Sequence, residues 1–388
     1  MIFRSFISRL LKAAAISAVT SLPSCTEKSS YKPEPPRRIV LHPQTQRLSS
    51  GLESLVLDGF GGSVQSYRRD QVSLAVNNAD EPLVLYKASS QPYAGDFSGA
   101  YFTNNVWSRR SINVTNPSGG YSSVIFDGQN KPHISFDWWS WDRGEHTGHA
   151  KLPGSWSRSW WSYSVLDSNN SVGLDNEINL DKQEHVHVSY YSWFGGRLKY
   201  ASNANGSWQV EDLSPARWNQ TSVTTDDANQ AHIAHTTQDS TVEYTTNASG
   251  SWQRATIRRG SNPVIRMDNR GLLHVVFQDG GLYHAVNFNN AWNIEQLPAT
   301  RTLSEGNRLS FAIDRNDKLN ALYLSDERDS IYLMTNYSGQ WREHLLDNGG
   351  GWGHSQIAID NGDRIHIAGS RGGLVHYLSF HPSQLPPQ

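Results

Sequence analysis

The chain has 388 residues, with 34 Lys and Arg against 36 Asp and Glu, so the formal net charge is −2. This lack of basic excess argues against nucleic acid or an anionic membrane surface as partner. Aromatic residues make up 11%, and glycine is abundant at 31; that mixture favours strands and turns over long helices. The only cysteine, Cys25, excludes an intramolecular disulfide and a cysteine-based zinc site.

The N-terminal stretch MIFRSFISRLLK carries Arg4, Arg9 and Lys12, and the apolar run AAAISAVTSL that follows is too short to span a bilayer. It ends at LPSC. The layout resembles a bacterial lipoprotein signal, with Leu22 and Ser24 suiting the lipobox, and implies cleavage at residue 25 and lipidation of Cys25. An ordinary secretory signal is the alternative. Residues 26–48 are Pro-rich and polar and are expected to form an extended tether, leaving 49–388 as one domain. The expected location is an outer-membrane lipoprotein, periplasmic or at the cell surface, touching membrane only through its anchor.

Past residue 70 the chain repeats itself. SVIFDGQNKPHISF, INLDKQEHVHVSY, SVTTDDANQAHIAH, PVIRMDNRGLLHVVF and QIAIDNGDRIHIAG each show an apolar alternation ending in Asp, a six-residue step to His, and a second alternation. The Asp positions are Asp127, Asp181, Asp226, Asp268 and Asp360. Asn77 and Asp314 head weaker copies, giving seven units at intervals of 42 to 54 residues. A second half follows in each unit: strand, Asn/Gly turn, Trp, strand, as in RLKYASNANGSWQVEDL and VEYTTNASGSWQRATI. Four strands in each of seven units predict an all-β fold, a seven-bladed β-propeller of four-stranded antiparallel blades. The last unit stops after LVHYLSF, and LESLVLD, Leu52 to Asp58, is expected to supply its missing strand and close the ring.

The turns SNANGSW, TNASGSW and TNYSGQW, ending at Trp208, Trp252 and Trp341, resemble those of the bacterial BNR or Asp-box propellers, a group that includes sialidases and polysaccharide lyases. The resemblance covers the architecture from about residue 50 to 380 and implies little about chemistry. The early FRIP-like segment that accompanies the arginine triad of a sialidase is not evident.

Within a blade, the first-to-second and third-to-fourth turns share one face because chain direction reverses at each turn. The repeated Asp, His and Trp therefore read as scaffold: Asp ordering a turn, His satisfying a backbone group, Trp wedging between blades. The third-strand aromatic position (Tyr101, His149, Tyr200, Tyr244, His284, His376) reads as packing. Eight tryptophans do not repeat; Trp160 and Trp161 read as lying in a strand, and the other six fall on the opposite face. Trp138, Trp139, Trp141 and Trp193 lie in second-to-third connections, Trp218 and Trp352 in blade-to-blade connections, with His146, His235 and His354 beside them.

Indole rings on an open face suit the C–H faces of sugars, with charged groups to bind hydroxyls. The expected ligand-binding residues are Trp138, Trp139, Trp141, Asp142, Glu145, Trp193, Trp218, Trp352 and His354, and the expected partner is an oligo- or polysaccharide bound by a monomer. A polysaccharide lyase needs a proton-moving Tyr or His and a cation for the uronate carboxylate; Tyr191, His235 and His146 are candidates for the first, and Arg143, Arg197 and Arg371 for the second. A glycoside hydrolase needs paired carboxylates, for which Asp137, Asp142, Glu145, Asp279, Asp326 and Glu327 are available. A non-catalytic glycan-binding or protein-interaction scaffold of the cell envelope is the competing class. No cofactor and no catalytic metal is expected, with a structural metal ion left open; His146, Asp142 and Glu145 match no established metal spacing.

Overall fold

The computed structural model describes residues 39–59, 72–87, 97–112, 121–140, 144–152, 161–168, 172–217, 220–301, 303, 309–325 and 330–385, without the side chains of 59, 139, 140, 144 and 145. These form seven antiparallel sheets. From the axis outward, blade 1 is Val72–Val76, Pro82–Lys87, Phe97–Thr103 and Val106–Ile112; blade 2 is Ser122–Phe126, Pro132–Ser140, Gly144–Lys151 and Ser162–Asp167. Blade 3 is Val172–Leu180, Val186–Ser192, Arg197–Ser202 and Gln209–Pro215, and blade 4 is Thr221–Thr225, Ala231–Thr236, Thr241–Thr246 and Gln253–Arg259. Blade 5 is Ser261–Met267, Leu273–Gln278, Leu282–Phe288 and Ala291–Gln296, and blade 6 is Ser310–Ile313, Leu319–Leu324, Ile331–Thr335 and Arg342–Asp347. Blade 7 takes Trp352–Ile359, Ile365–Arg371 and Leu374–Phe380 from the C-terminal end and Glu53–Gly59 from the N-terminal end. The innermost strands contact one another in sequence, and the last contacts the first, which closes the ring around an axial channel. We call the face of the repeated turns the lower face and its opposite the upper.

The expected closure holds, with Leu55 opposite Tyr377 and Val56 opposite His376. The segment expected to be a tether is partly built into the ring. Ile39–Val40 pairs with Arg109 and Ser108 on the outer edge of blade 1, and Gln44–Arg47 pairs with Glu53–Val56 on the outer edge of blade 7. Strands of two and four exposed residues carry no apolar alternation, so nothing in their pattern announces them. Cys25 and the rest of the tether lie outside the described residues.

The core sits in the joints between blades. Seven buried apolar clusters each combine side chains of two adjacent blades, for example Leu83, Leu85 and Phe97 of blade 1 with Ile134 and Phe136 of blade 2. The repeated polar residues organise the lower end of each joint. Asp127 Oδ1 accepts from the backbone N–H of Gln129 and Lys131, while Oδ2 meets His133 Nε2 at 3.4 Å. His133 Nδ1 then shares a 3.0 Å hydrogen bond with His149 Nε2, and Trp208 of the next blade packs on His149 at 5.3 Å. The same relay runs through Asp181, His187, Tyr200 and Trp252, and through Asp360, His366, Tyr377 and Trp107 of blade 1.

Two expectations are corrected here. The histidines bind side chains on both ring nitrogens rather than a backbone group. In blade 7 the third-strand aromatic is Tyr377, not His376, whose ring instead meets Ser54 Oγ at 3.2 Å and packs on Trp352; a one-residue shift along a strand turns a side chain to the other face. In blade 6, where Asn320 replaces the histidine, burial pushes Asp314 above the usual carboxylate range and its Oδ2 has no hydrogen-bond partner among the described residues. The Trp wedges carry much of each joint. Trp252→Ala, which removes the ring on Tyr200 and the Nε1–H donated to Glu211, should cost about 3 kcal/mol, read as a lowered denaturant midpoint with an unchanged slope.

Two belts stitch the ring. On the lower face, the residue three past each turn Asp or Asn adopts positive φ, and in five blades its side chain accepts a backbone N–H from the preceding blade: Asn78 to Asn130, Gly128 to Glu184, Asn269 to Asp317, Arg315 to Asp363, Asn361 to Asp80; in blade 4, Asn229 Oδ1 has no hydrogen-bond partner among the described residues. Blade 5 has Gly271 at this place, with no side chain to accept. Inside the channel, the residue four before each Asp is serine in blades 1, 2, 4 and 6. Ser123, Ser222 and Ser310 accept the N–H of Ile178, Ile265 and Ile357 on the next blade. Blades 3, 5 and 7 carry Glu177, Val264 and Gln356 instead, and Gln356 accepts from Leu74 N.

Candidate functional site

On the upper face, the connection between the second and third strands of blade 3 is a tight turn, with Gly196 N bonded to Trp193 O and Ser192 Oγ donating to Phe194 O. Gly195 and Gly196 have φ of 90° and 58°, the left-handed region that favours glycine, and a Cβ at Gly196 would lie 3.2 Å from the carbonyl oxygen of Ala216. The turn is pinned from below: Ala216 N donates to Gly196 O at 2.7 Å, and Arg217, on the following residue, donates to Thr236 O and Ser240 Oγ. The result is a rigid mount holding Trp193 at 52% and Phe194 at 70% exposure. Leaving two large aromatics in water forgoes roughly 1.5–3 kcal/mol each.

The remaining sequence candidates are dispersed around the ring. Tyr191 and Arg197 flank the exposed turn in the two strands it joins; Tyr191 is buried, and burial together with the Asp175 charge raises its phenol above the ordinary value. His235 is buried in the joint of blades 3 and 4, 2.9 Å from Ser214 Oγ, and burial with the Arg254 charge pushes it down to about 4. His146 is buried in blade 2 against the half-buried Trp138, which also packs on Phe136. Gly148 permits this stack, since a Cβ there would come within 2.7 Å of the Phe136 ring.

Trp352 and Arg371, expected at the ligand face, are tied together instead. Trp352 is 2% exposed and donates Nε1–H to Asp347 Oδ2 at 2.8 Å, while Arg371 lies over its ring and pairs with the same carboxylate at 3.2 Å. Both are joint residues of blades 6 and 7. His354 lines the channel. Among the hydrolase candidates, Asp137 is buried and accepts Tyr121 N, and Asp279 pairs with Arg258. Trp139 and Glu145 lie opposite each other in paired strands. Trp141, Asp142, Arg143, Trp218, Asp326 and Glu327 lie outside the described residues. No group of three or more metal-ligating side chains comes together among the described residues.

Sequence reasoning missed one charged pair. Glu177 and Arg266 meet at 2.7 Å inside the channel, bridging blades 3 and 5 across blade 4, where Arg266 also donates to Ser222 Oγ. The signal was available: Glu177 breaks the serine position of the repeat.

No protein-family model and no curated protein matches the chain. Solved structures do resemble it. The BP39L lectin from Burkholderia pseudomallei aligns with a TM-score of 0.60 at 10% identity, over 81% of this chain and 97% of that one. The Aleuria aurantia lectin, described as a six-bladed propeller with a novel fucose recognition mode, aligns at 0.52 and 13%, over 73% and 97%. The Hadza microbial sialidase Hz136 aligns at 0.50 and 12%, over 84% and 67%. At these identities the likeness is one of fold.

Proposed function

We propose that the protein recognises carbohydrate on its upper face, with Trp193 and Phe194 of blade 3 as the platform on which sugar rings stack. The observation that carries this reading is the pinned double-glycine turn that spends backbone constraint on keeping two aromatic rings in solvent. Such rings are worth burying, and the flat C–H face of a pyranose offers matching apolar area. Lectins and a sialidase among the structural neighbours support the reading. Arg197, at the base of the turn, adds a donor fork for hydroxyl or carboxylate oxygens. The lipoprotein-like segment ending at Cys25 supports an exported propeller, anchored by lipid in the cell envelope.

The finer reading is cleavage of a uronate-containing polymer by β-elimination. The C5 proton would pass to a solvent base as the C4–O bond breaks and the C4=C5 bond forms; Tyr191, a phenol at neutral pH whose proton burial holds more tightly, would protonate the leaving oxygen and regain its proton from water, and Arg197 would neutralise the uronate carboxylate. Incubation with acidic and neutral polysaccharides, following retained protein, chain length and the absorbance of unsaturated uronates together, tests both levels. Retention is the expected result. Absorbance that rises as chains shorten, and that falls at least about a hundredfold in rate in Tyr191→Phe, establishes the lyase. Retention without cleavage leaves a lectin, and retention on no polymer overturns the proposal.

A further inference from the structure

Subtracting the repeat from the axial channel leaves a small set of residues that scaffolding does not require. Four of the seven inner strands place serine four residues before the turn Asp, and three of these serines accept an N–H of the next blade. Blade 3 replaces this serine with Glu177. Two residues before the turn Asp or Asn, the other blades carry the uncharged Ala75, Ile125, Asn179, Thr224, Ala312 and Ala358, whereas blade 5 carries Arg266. The two departures find each other at 2.7 Å, and both remain partly open, at 16% and 31% side-chain exposure. An ion pair taken partly out of water only for stability gains little over apolar packing, so a charged pair where the other inner strands carry uncharged residues calls for another role.

These side chains border a channel cavity of about 150 Å³, with apolar walls that include Leu74, Ile125 and Val264. Thr221 lines the same cavity. It is 3% exposed. Arg266 commits Nη1 to Ser222 Oγ and Ile265 O and Nη2 to Glu177. A guanidinium carries five N–H groups, so two remain for a ligand.

We propose that the channel holds a second ligand site, independent of the upper-face aromatic turn, for a small neutral polyhydroxylated molecule no larger than one sugar ring. Two facts select this chemistry. The cavity is about half the lower end of ordinary ligand pockets, roughly 300 Å³, which excludes a polymer. A carboxylate beside a guanidinium matches a vicinal diol, one hydroxyl donating to Glu177 and the other accepting from Arg266; an anion would meet Glu177, and a cation Arg266, with like charge. The apolar walls take the C–H groups.

The test is titration of the full-length protein with D-glucose, D-galactose, D-mannose and D-glucuronate, by calorimetry and by ligand-observed NMR. At least one neutral sugar should bind with affinity unchanged in Trp193→Ala and reduced tenfold or more in Glu177→Gln. D-glucuronate should bind at least tenfold more weakly than the preferred neutral sugar. Glu177→Gln keeps the shape of a side chain in a partly exposed pair, so its unfolding should stay cooperative; lost affinity in a fully folded variant then reads ligand contact rather than damage. Absence of binding by every neutral sugar overturns the proposal, as does binding lost in Trp193→Ala but unaffected by Glu177→Gln. Tighter binding of D-glucuronate would also overturn it and assign an anion site. Because polymer retention depends on Trp193 and channel binding does not, the two sites fail separately.

Discussion

The protein should lose its stability between pH 6.5 and 5, well above the range in which carboxylates titrate. Burial, with the charge of Lys151, pushes His133 down to about 4; burial, with His133 and Lys151, pushes His149 down to about 3. His235 and His376 are pushed to about 4 by burial, with Arg254 and Arg371 adding to it. In the unfolded chain each takes up a proton near pH 6.5, so below that value the unfolded state binds more protons than the folded one. Stability is therefore complete above pH 6.5 and drains away as pH falls toward 4. Each such histidine contributes up to about 1.4 kcal/mol per pH unit, and the four together remove up to roughly 5 to 6, so about one to one and a half pH units can consume the margin of a typical domain. The turn aspartates Asp127 and Asp181, which backbone and side-chain donors hold below the usual carboxylate range despite burial, add their loss only at lower pH. Denaturant midpoints at pH 7.5, 6.5, 5.5 and 5.0 check this, and a midpoint flat down to pH 5 would contradict it. The repeat supplies its own control. His149 stands where blades 3 and 4 have Tyr200 and Tyr244, whose hydroxyls hydrogen-bond the neighbouring histidine, so His149→Tyr should flatten the acid limb without disturbing the joint.

Removing the N-terminal segment through residue 59 should abolish the soluble fold. That segment supplies the outer strand of blade 7 and also ties three blades together. Asp58 accepts from Tyr86 and Arg109 of blade 1, Ser49 bonds Asp347 and Asn348 beside blade 6, and Leu48 packs in the cluster of blades 6 and 7. Without it, Leu374–Phe380 becomes an open edge beside an unclosed ring, which invites pairing with another chain. The truncated protein should accumulate as aggregate, and a monomeric product with a cooperative unfolding transition would count against this account of closure. Asp58→Asn, a milder version, should cost about 2–3 kcal/mol through weakened charge-assisted bonds.

The ring was legible because its signals repeat. A turn Asp, a histidine six residues on and a Trp after an Asn/Gly turn recur with enough regularity to number the blades, and the incomplete seventh unit pointed to Leu52–Asp58 as its missing strand. The strap of Ile39–Val40 and Gln44–Arg47 was not legible, since short exposed strands have neither alternation nor turn residues to mark them. Trp352 misled because it breaks the repeat for a structural reason, replacing part of a joint. Trp193 breaks it in the open, and only its 52% exposure separates the two cases. Glu177 and Arg266 carry no aromatic or histidine signal; only the break they make in the pattern of channel-facing residues marks them.

The central claim is that the blade 3 turn binds glycan. Affinity electrophoresis through gels containing the retained polysaccharide, comparing the native protein with a Trp193→Ala, Phe194→Ala double variant of unchanged melting temperature, tests it most directly. The account predicts that retardation of the native protein is lost, with affinity down at least about thirtyfold, as expected when two stacking aromatics leave a binding surface. Equal retardation of the two proteins would contradict it and move the carbohydrate site elsewhere on the ring.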